Sequence, residues 1–392
     1  MKKVCFLVDS IFSYGGVQRV TAVIAKQLAA ECEVTIVTLD QPGLMDTSFY
    51  GLNEVPVSFR FLAYPATPRW KNMLCKAYSM FYRKLLPQTR LASRIYAHSS
   101  FPSEKRRALA AELAGGGYDV IVGVHAPLAV RLASCRKQLQ GTRLVGWIHN
   151  SYEALFGRDS LYIGPELRRH YELQLSRLDA TLVLSQYDAR RYSFPTTVLY
   201  NPLTLTPGPR SLGSSKRFLA VGRFSRRHKG FDLLIEAFSL FARGNAEWCL
   251  DIVGEGVEEP LYRSMIDRYG LGGRISIHPF TSNVQQYYSG AQVYVLSSRW
   301  EGFGLVLVEA MAHGLPVVSS DLPTSREIMG DYGLYFPVGD VEAMARKLQQ
   351  ATQLDWQQKS DEAIGIARRF SPDSIICQWR KVLFGQELSQ LQ

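Results

Sequence analysis

Ser297-Ser298-Arg299-Trp300-Glu301-Gly302-Phe303-Gly304-Leu305-Val306-Leu307-Val308-Glu309-Ala310-Met311 lies between two apolar runs, Val293–Leu296 and Pro316–Ser319. The flanking runs read as short buried strands and Leu305–His313 as a helix, the strand–loop–helix pattern of a parallel sheet covered by helices. Glu301 and Glu309 are eight positions apart, a little over two helical turns. With a helix starting near Gly304, Glu301 falls in the loop before it and Glu309 inside it. Gly302 and Gly304 leave backbone amides open to phosphate or sugar oxygens. The residues alone leave two readings open. One carboxylate faces a sugar while the other accepts ribose hydroxyls, or a capping Glu precedes an exposed helix Glu.

The same alternation extends in both directions. Toward the C-terminal side of the chain's middle, strands are read at Phe218–Val221, Cys249–Val253 and Ile275–His278, with helices at Phe231–Ala242, Leu261–Tyr269 and Val341–Ala351. Toward the start, strands are read at Val4–Val8, Val34–Leu39, Val57–Leu62, Val120–Val124, Leu144–Ile148 and Thr181–Leu184, with a helix at Val17–Ala30. At roughly 150 residues per domain, 392 residues predict two domains or three. Between the halves, Tyr200–Ser215 is rich in Pro, Gly, Ser and Thr and reads as an exposed linker. Two open sheets side by side are expected to face each other across a cleft, where ligands of such folds bind.

Composition excludes several classes. Hydrophobic residues make up 46% and charged residues 20%, which argues against disorder, collagen-like repeats and coiled coil. No apolar run approaches the roughly 18 residues of a membrane-spanning helix. The opening Met1–Val8 is ended by Asp9 and reads as a strand rather than a signal peptide. Six scattered cysteines show no short paired spacing, which suits reduced thiols in a cytoplasmic protein.

The net charge of +10 suggests an acidic partner. It is confined to the first half: residues 1–196 hold 25 Lys/Arg and 15 Asp/Glu, whereas residues 197–392 hold 20 of each. Residues 60–107 alone contain eleven bases against the single acid Glu104. Within them Leu74, Tyr78, Phe81 and Leu85 share a helical face, opposite Lys76 and Arg83, and Pro87 ends the segment. Such a basic amphipathic helix suits an anionic membrane surface or a phosphate-bearing acceptor, with Arg69, Lys71, Lys76, Arg83, Lys84 and Arg90 as contacts. A core-packed helix with a solvated basic side is the plainer alternative. No nucleic-acid-binding module frames these bases, so nucleic acid is not an expected partner.

Two further loops carry candidate chemistry. Asp9-Ser10-Ile11-Phe12-Ser13-Tyr14-Gly15-Gly16 leads from a strand into a helix without the Gly-x-Gly-x-x-Gly spacing of a dinucleotide site. Val221-Gly222-Arg223-Phe224-Ser225-Arg226-Arg227-His228-Lys229-Gly230 does the same with several cations. Arg223 and Lys229 are placed to stabilise a diphosphate leaving group, and Arg226 and Arg227 to be solvated. A basic surface loop is the alternative.

Together the Glu301-x7-Glu309 pattern with Glu-Gly-Phe-Gly, the Gly-Arg…Lys-Gly segment and the Gly15-Gly16 loop resemble the retaining glycosyltransferases of family 4, across essentially the whole chain. The resemblance implies the α/β GT-B fold: an acceptor-side Rossmann-like domain at 1–199, a linker at 200–216 and a donor domain at 217–371. A final helix at 372–388 would cross back to complete the first domain. It implies that Arg223 and Lys229 bind the donor diphosphate, Glu301 the donor sugar and Glu309 the ribose. Gly302, Phe303, Gly304 and Leu305 would offer backbone contacts, and Gly15 and Gly16 would approach the diphosphate. His149, in Trp147-Ile148-His149-Asn150, would stand beside the donor sugar, a core histidine being the alternative, and Phe280 would lie in the base-binding loop. The chain departs from the family at Gln18, where many relatives carry an acid, and at Asp321–Glu327, where Gly-Gly-x-x-Glu is usual.

The function so implied is transfer of a hexose or N-acetylhexosamine from a UDP-sugar to a lipid-linked or lipopolysaccharide-type glycan, by front-face displacement. The site would be cytoplasmic, at the inner face of the plasma membrane. A GDP-mannose-dependent transferase and a nucleotide-sugar epimerase of the same architecture are the alternatives. With no Asp-x-Asp in the sequence, no metal ion or other cofactor is expected.

Overall fold

The computed structural model describes residues 1–385 other than 87, 88, 159, 161 and 212. The chain divides into two compact units, Met1–Pro202 together with the chain from Pro372, and Leu203–Ser371. Pro87, read above as a helix stop, and residues 386–388 of the expected final helix lie outside the described residues.

The first unit is built on a sheet of β1 (Lys2–Val8), β2 (Cys32–Thr38), β3 (Val57–Phe61), β4 (Val120–Val124), β5 (Arg143–Trp147), β6 (Ala180–Val183) and β7 (Thr197–Val198). Its order is β3-β2-β1-β4-β5-β6-β7, parallel throughout. Every residue of β4 and residues Val4–Val8 of β1 are buried, which is why these strands read as unbroken apolar runs. The edge strand β3 instead alternates between exposed and half-buried residues. Chain order reverses between β1 and β4, and in such sheets ligands bind at the strand ends beside that reversal.

Helices cover the sheet: α1 (Gly16–Leu28), α2 (Arg69–Lys84), α3 (Arg90–Ser100), α4 (Ser103–Gly115) and α5 (Ala126–Ser134) precede further short ones. The helix Pro372–Phe384 belongs to this unit, where Trp379 is fully buried with its ring 4.5 Å from Trp147 and 6.1 Å from Phe6.

The second unit repeats the plan with β8 (Arg217–Val221), β9 (Cys249–Val253), β10 (Ile275–His278), β11 (Val293–Leu296), β12 (Val317–Ser320) and β13 (Leu334–Phe336). The order β10-β9-β8-β11-β12-β13 places its reversal between β8 and β11, which pair directly at Phe218↔Val293 and Leu219↔Tyr294. Its core joins Phe218, Leu250, Ile252, Val293 and Val318 of the sheet to Phe238 and Met344 of the covering helices.

One reading needs correction. The Pro-rich stretch expected to be an exposed linker is, from Leu203 on, packed into the second unit: Leu203 and Ser211 are buried, and the Gly208 amide donates to His313 Nε2 at 3.0 Å. Arg210 reaches Ser360 at 2.8 Å and Asp361 at 2.7 Å. Missing backbone donors at the prolines forbid a strand, but they do not prevent packing through the residues between them. Of the face read on α2, Tyr78 is half-buried against the core while Leu74, Phe81 and Leu85 are exposed, and the wholly buried residue of the helix is Tyr82. Tyr82 stacks on Tyr96 of α3 at 4.5 Å, and that contact sets the helix's rotation.

Candidate functional site

In the second unit, the loops that leave β8 and β11 meet because those strands are neighbours at the reversal. Ser297 Oγ donates to the Lys229 carbonyl at 2.8 Å, and the Arg299 amide to the His228 carbonyl at 2.7 Å. The Trp300 and His228 rings stack in parallel at 3.8 Å. Gly230 makes this approach possible. Its φ is +64°, and a Cβ there would stand 2.3 Å from the Ser297 carbonyl oxygen. The buried carboxylate of Asp232 ties the knot from below, accepting from Arg226 at 3.0 Å and from both terminal nitrogens of Arg299. Arg226 and Arg227 are both exposed, as expected, and Arg226 is in addition ion-paired to Asp232.

Glu301 sits inside this knot. Its Oε1 accepts from Lys229 Nζ at 2.6 Å and from Ser298 Oγ at 2.6 Å. His228 Nε2 stands 3.7 Å from Oε2, beyond hydrogen-bond reach. Burial alone would raise the carboxyl's pKa, but the Lys229 ammonium and His228 outweigh it and hold Glu301 well below the usual carboxylate range. Oε1 is thus saturated, and Oε2 keeps capacity for a ligand hydroxyl. Lys229, expected as a diphosphate contact, is in the first place the counter-ion of Glu301. Arg223 is exposed at the end of β8, with no hydrogen bond or ion pair among the described residues.

Gly304, at φ +89°, turns the chain into the helix Leu305–Ala312, whose first amides have no helical acceptor. Phe303 points inward, 5.7 Å from the Phe370 ring, so it offers backbone rather than side chain, as Gly302 does. Glu309 faces the interior of the unit and is 1% exposed. Tyr288 donates to its Oε2 at 2.9 Å and Thr204 to its Oε1 at 3.3 Å. Its own carbonyl accepts from His313 Nδ1 at 2.7 Å, which fixes the tautomer whose Nε2 receives Gly208. Phe280 is exposed just beyond β10. The divergent Asp321–Glu327 stretch opens another helix, Pro323–Met329, with Asp321 paired to Arg326 at 2.7 Å.

In the first unit, Gly16 starts α1 and Gly15 caps it in an extended conformation. The Gly15 amide is occupied: it donates to the Tyr50 hydroxyl at 2.9 Å, which in turn donates to the Ser13 carbonyl at 2.8 Å. Gln18 folds back over Gly15 and reaches Ser13 at 3.3 Å. His149, just after β5, is buried and packs on Trp147 at 4.2 Å, while its Nε2 has no hydrogen-bond partner among the described residues. Burial and the adjacent His125 push its pKa well below the ordinary imidazole value, so it is neutral. His125 was not foreseen. It follows β4 with φ +72° and ψ 151°, a conformation costly for any residue but glycine, and its ring lies 5.4 Å from His149. Of the basic contacts expected on α2, Lys71 is paired with Glu104 and Arg83 with Glu166, each at 2.5 Å. Arg69, Lys76 and Lys84 are exposed, as is Arg90 at the start of α3.

Comparison with known proteins agrees with this geometry. Residues 215–353 match the model described as Glycosyl transferases group 1, and residues 14–206 the model described as Glycosyltransferase Family 4. An uncharacterized glycosyltransferase of Haemophilus influenzae is 29% identical over 189 residues, 47% of this chain and 53% of that protein. The lipopolysaccharide core biosynthesis mannosyltransferase LpsB of Rhizobium meliloti is 28% identical over 200 residues, 45% of this chain and 57% of its own. The chain thus spans about half the length of the curated relatives it matches. Among solved structures, the lipopolysaccharide outer core galactosyltransferase WaaB in its apo form aligns with a TM-score of 0.69 at 18% identity, covering 98% of this chain and 99% of that one. Anabaena Alr3699/HepE in complex with UDP-glucose aligns with a TM-score of 0.71 at 18% identity, covering 98% and 99%. With two parallel-sheet units of this topology, and a glycosyltransferase model matched in each, the chain belongs to the GT-B glycosyltransferases.

Proposed function

We propose that the protein moves a hexose or N-acetylhexosamine from a UDP-sugar to a lipid-linked or lipopolysaccharide-type glycan, retaining the anomeric configuration and needing no metal ion. The observation that carries this reading is the knot of the β8 and β11 loops, which fixes the Lys229–Glu301 pair beside the open start of the helix Leu305–Ala312. In this reading Glu301 Oε2 accepts a donor-sugar hydroxyl. Arg223 and the first-turn amides take the diphosphate oxygens, and Lys229 lends positive charge as the leaving group becomes more negative. Glu309 receives a ribose hydroxyl in place of Thr204, whose 3.3 Å contact is longer than that of Tyr288. His149 is kept neutral and so serves as a hydrogen-bonding group and not as an acid. The C1–phosphate bond breaks, the acceptor oxygen bonds to C1 on the same face, and its proton passes to the departing phosphate oxygen.

Support for the nucleotide comes from the fold's likeness to a protein solved with UDP-glucose. The mannosyltransferase LpsB favours a second reading, GDP-mannose as donor. A thermal-shift panel of UDP- and GDP-sugars, followed by turnover with glycan acceptors, separates the two. A UDP-sugar should raise the melting temperature and be consumed only when acceptor is present. Response to GDP-mannose alone would establish the second reading, and donor conversion without acceptor would point to an epimerase. Turnover should persist in excess chelator; recovery only on adding Mg²⁺ or Mn²⁺ would remove the metal-free mechanism.

A further inference from the structure

Helix α2 wholly buries Tyr82 and leaves an apolar stripe outside. Trp70, Met73, Leu74, Phe81 and Leu85 are between 49% and 73% exposed, and Leu91 and Ile95 of α3 continue the patch at 70% and 46%. Positions 70, 74, 81 and 85 recur at helical spacing, so they form one ridge, and a ridge of this kind on a folded domain marks an interaction surface. Beside it, on the other flank of α2, runs a groove of about 670 Å³ whose cations are Lys76, Arg83, Lys84 and Lys105, with Ser79 and Ser99 between them. Arg83 is shared with Glu166, while Lys76 and Lys84 are exposed and make no ion pair among the described residues.

We propose that the α2–α3 hairpin docks on the anionic phospholipid surface of a bilayer, the ridge entering the headgroup–acyl boundary and lipid phosphates seating in the groove. Three features select this occupant. Residues 60–107 carry eleven bases and one acid, so the face complements a negative surface. Pairing two copies through it would bring like charges together. Apolar ridge and basic row occupy opposite sides of one helix, with Lys84 flanking the ridge, the arrangement of an element lying in the interface plane, and no helix among the described residues is long and apolar enough to cross a membrane.

The test is sedimentation of the full chain with phosphatidylcholine vesicles and with vesicles containing phosphatidylglycerol. Binding should require phosphatidylglycerol and weaken with salt. Lys76→Ser/Lys84→Ser should lower partitioning about thirtyfold, and Leu74→Ser/Phe81→Ser at least tenfold. Because these side chains are exposed, the melting temperature should not move. Equal binding to both vesicle types, no binding to either, or unchanged partitioning of both variants would overturn the proposal. So would full displacement by millimolar glycerol phosphate, which would make the groove a site for a free phosphate ester, or a dimer in light scattering that the ridge variant abolishes. No nucleotide sugar is present in the assay, so its failure and that of the transfer reaction are distinguishable.

Discussion

Replacing Lys229 with Met tests the centre of the site. The ammonium and carboxylate are 12% and 7% exposed, so water screens their attraction little, and the substitution strands a buried negative charge. Removing one partner of a buried pair costs about 3–5 kcal/mol. Ser298 keeps its 2.6 Å hydrogen bond to Oε1, so the low end of that range applies. For a unit the size of Leu203–Ser371, a loss of about 3 kcal/mol lowers the melting temperature by roughly 6–12 °C. Calorimetry should show that fall, and Lys229→Met/Glu301→Gln should recover more than half of it without recovering turnover. The acid side gives a second readout. A carboxyl held below its unfolded pKa contributes stability above that value and loses it as pH falls through the folded one. The wild-type protein should therefore lose this contribution progressively below about pH 4.5, and Lys229→Met should flatten that loss. A destabilisation under about 1 kcal/mol, or a double variant no more stable than the single one, would refute the pairing argument.

Three further outcomes follow from individual positions. Gly230→Ala should cost at least about 2 kcal/mol in chemical denaturation, because a left-handed φ and a backbone carbonyl in the way leave no inexpensive adjustment. Arg223→Ala should reduce turnover at least tenfold with an unchanged melting temperature, since the side chain is exposed; wild-type rates would remove it from the site. His149→Gln should lower turnover without changing the shape of the rate profile between about pH 6 and 8. Because burial depresses the His149 pKa, the unfolded chain binds that proton more readily, so stability falls as pH drops below about 6.5 and the variant should lose this slope.

Strand and helix positions were legible because β1, β4, β8 and β11 are buried on both faces, which makes them short apolar runs bounded by loops. β7 and β13, of two and three residues at sheet edges, carry no such signal. The site residues were legible as types: a Glu in a glycine loop, cations after a strand. Their partners were not. Lys229 and Glu301 are 72 positions apart, and nothing local to either names the other. Ser298, three residues before Glu301, was open to local reasoning, whereas Thr204, inside a stretch read as linker, was not. The rotation of α2 was not legible for a related reason. Helical spacing groups Leu74, Tyr78, Phe81 and Leu85 on one face, but which of them is buried depends on the aromatic stack of Tyr82 on a different helix.

The two glutamates of the motif look equivalent in sequence and are not in structure. Glu301 is balanced by an ammonium, so its charge is maintained and one oxygen stays available; its environment suits a group that must remain an anion while a diphosphate beside it gains charge. Glu309 is held by the hydroxyls of Thr204 and Tyr288, and its backbone is clamped by His313, which also receives the Gly208 amide. Hydroxyl donors can be exchanged for a ligand's own hydroxyls at little net cost, because one neutral hydrogen bond replaces another. An ammonium has no such substitute in a sugar. The same helix therefore presents one carboxylate built to exchange partners and, in the loop before it, one built to keep its partner. Loss of Glu309 should accordingly appear in donor affinity, and loss of Glu301 in the rate of transfer.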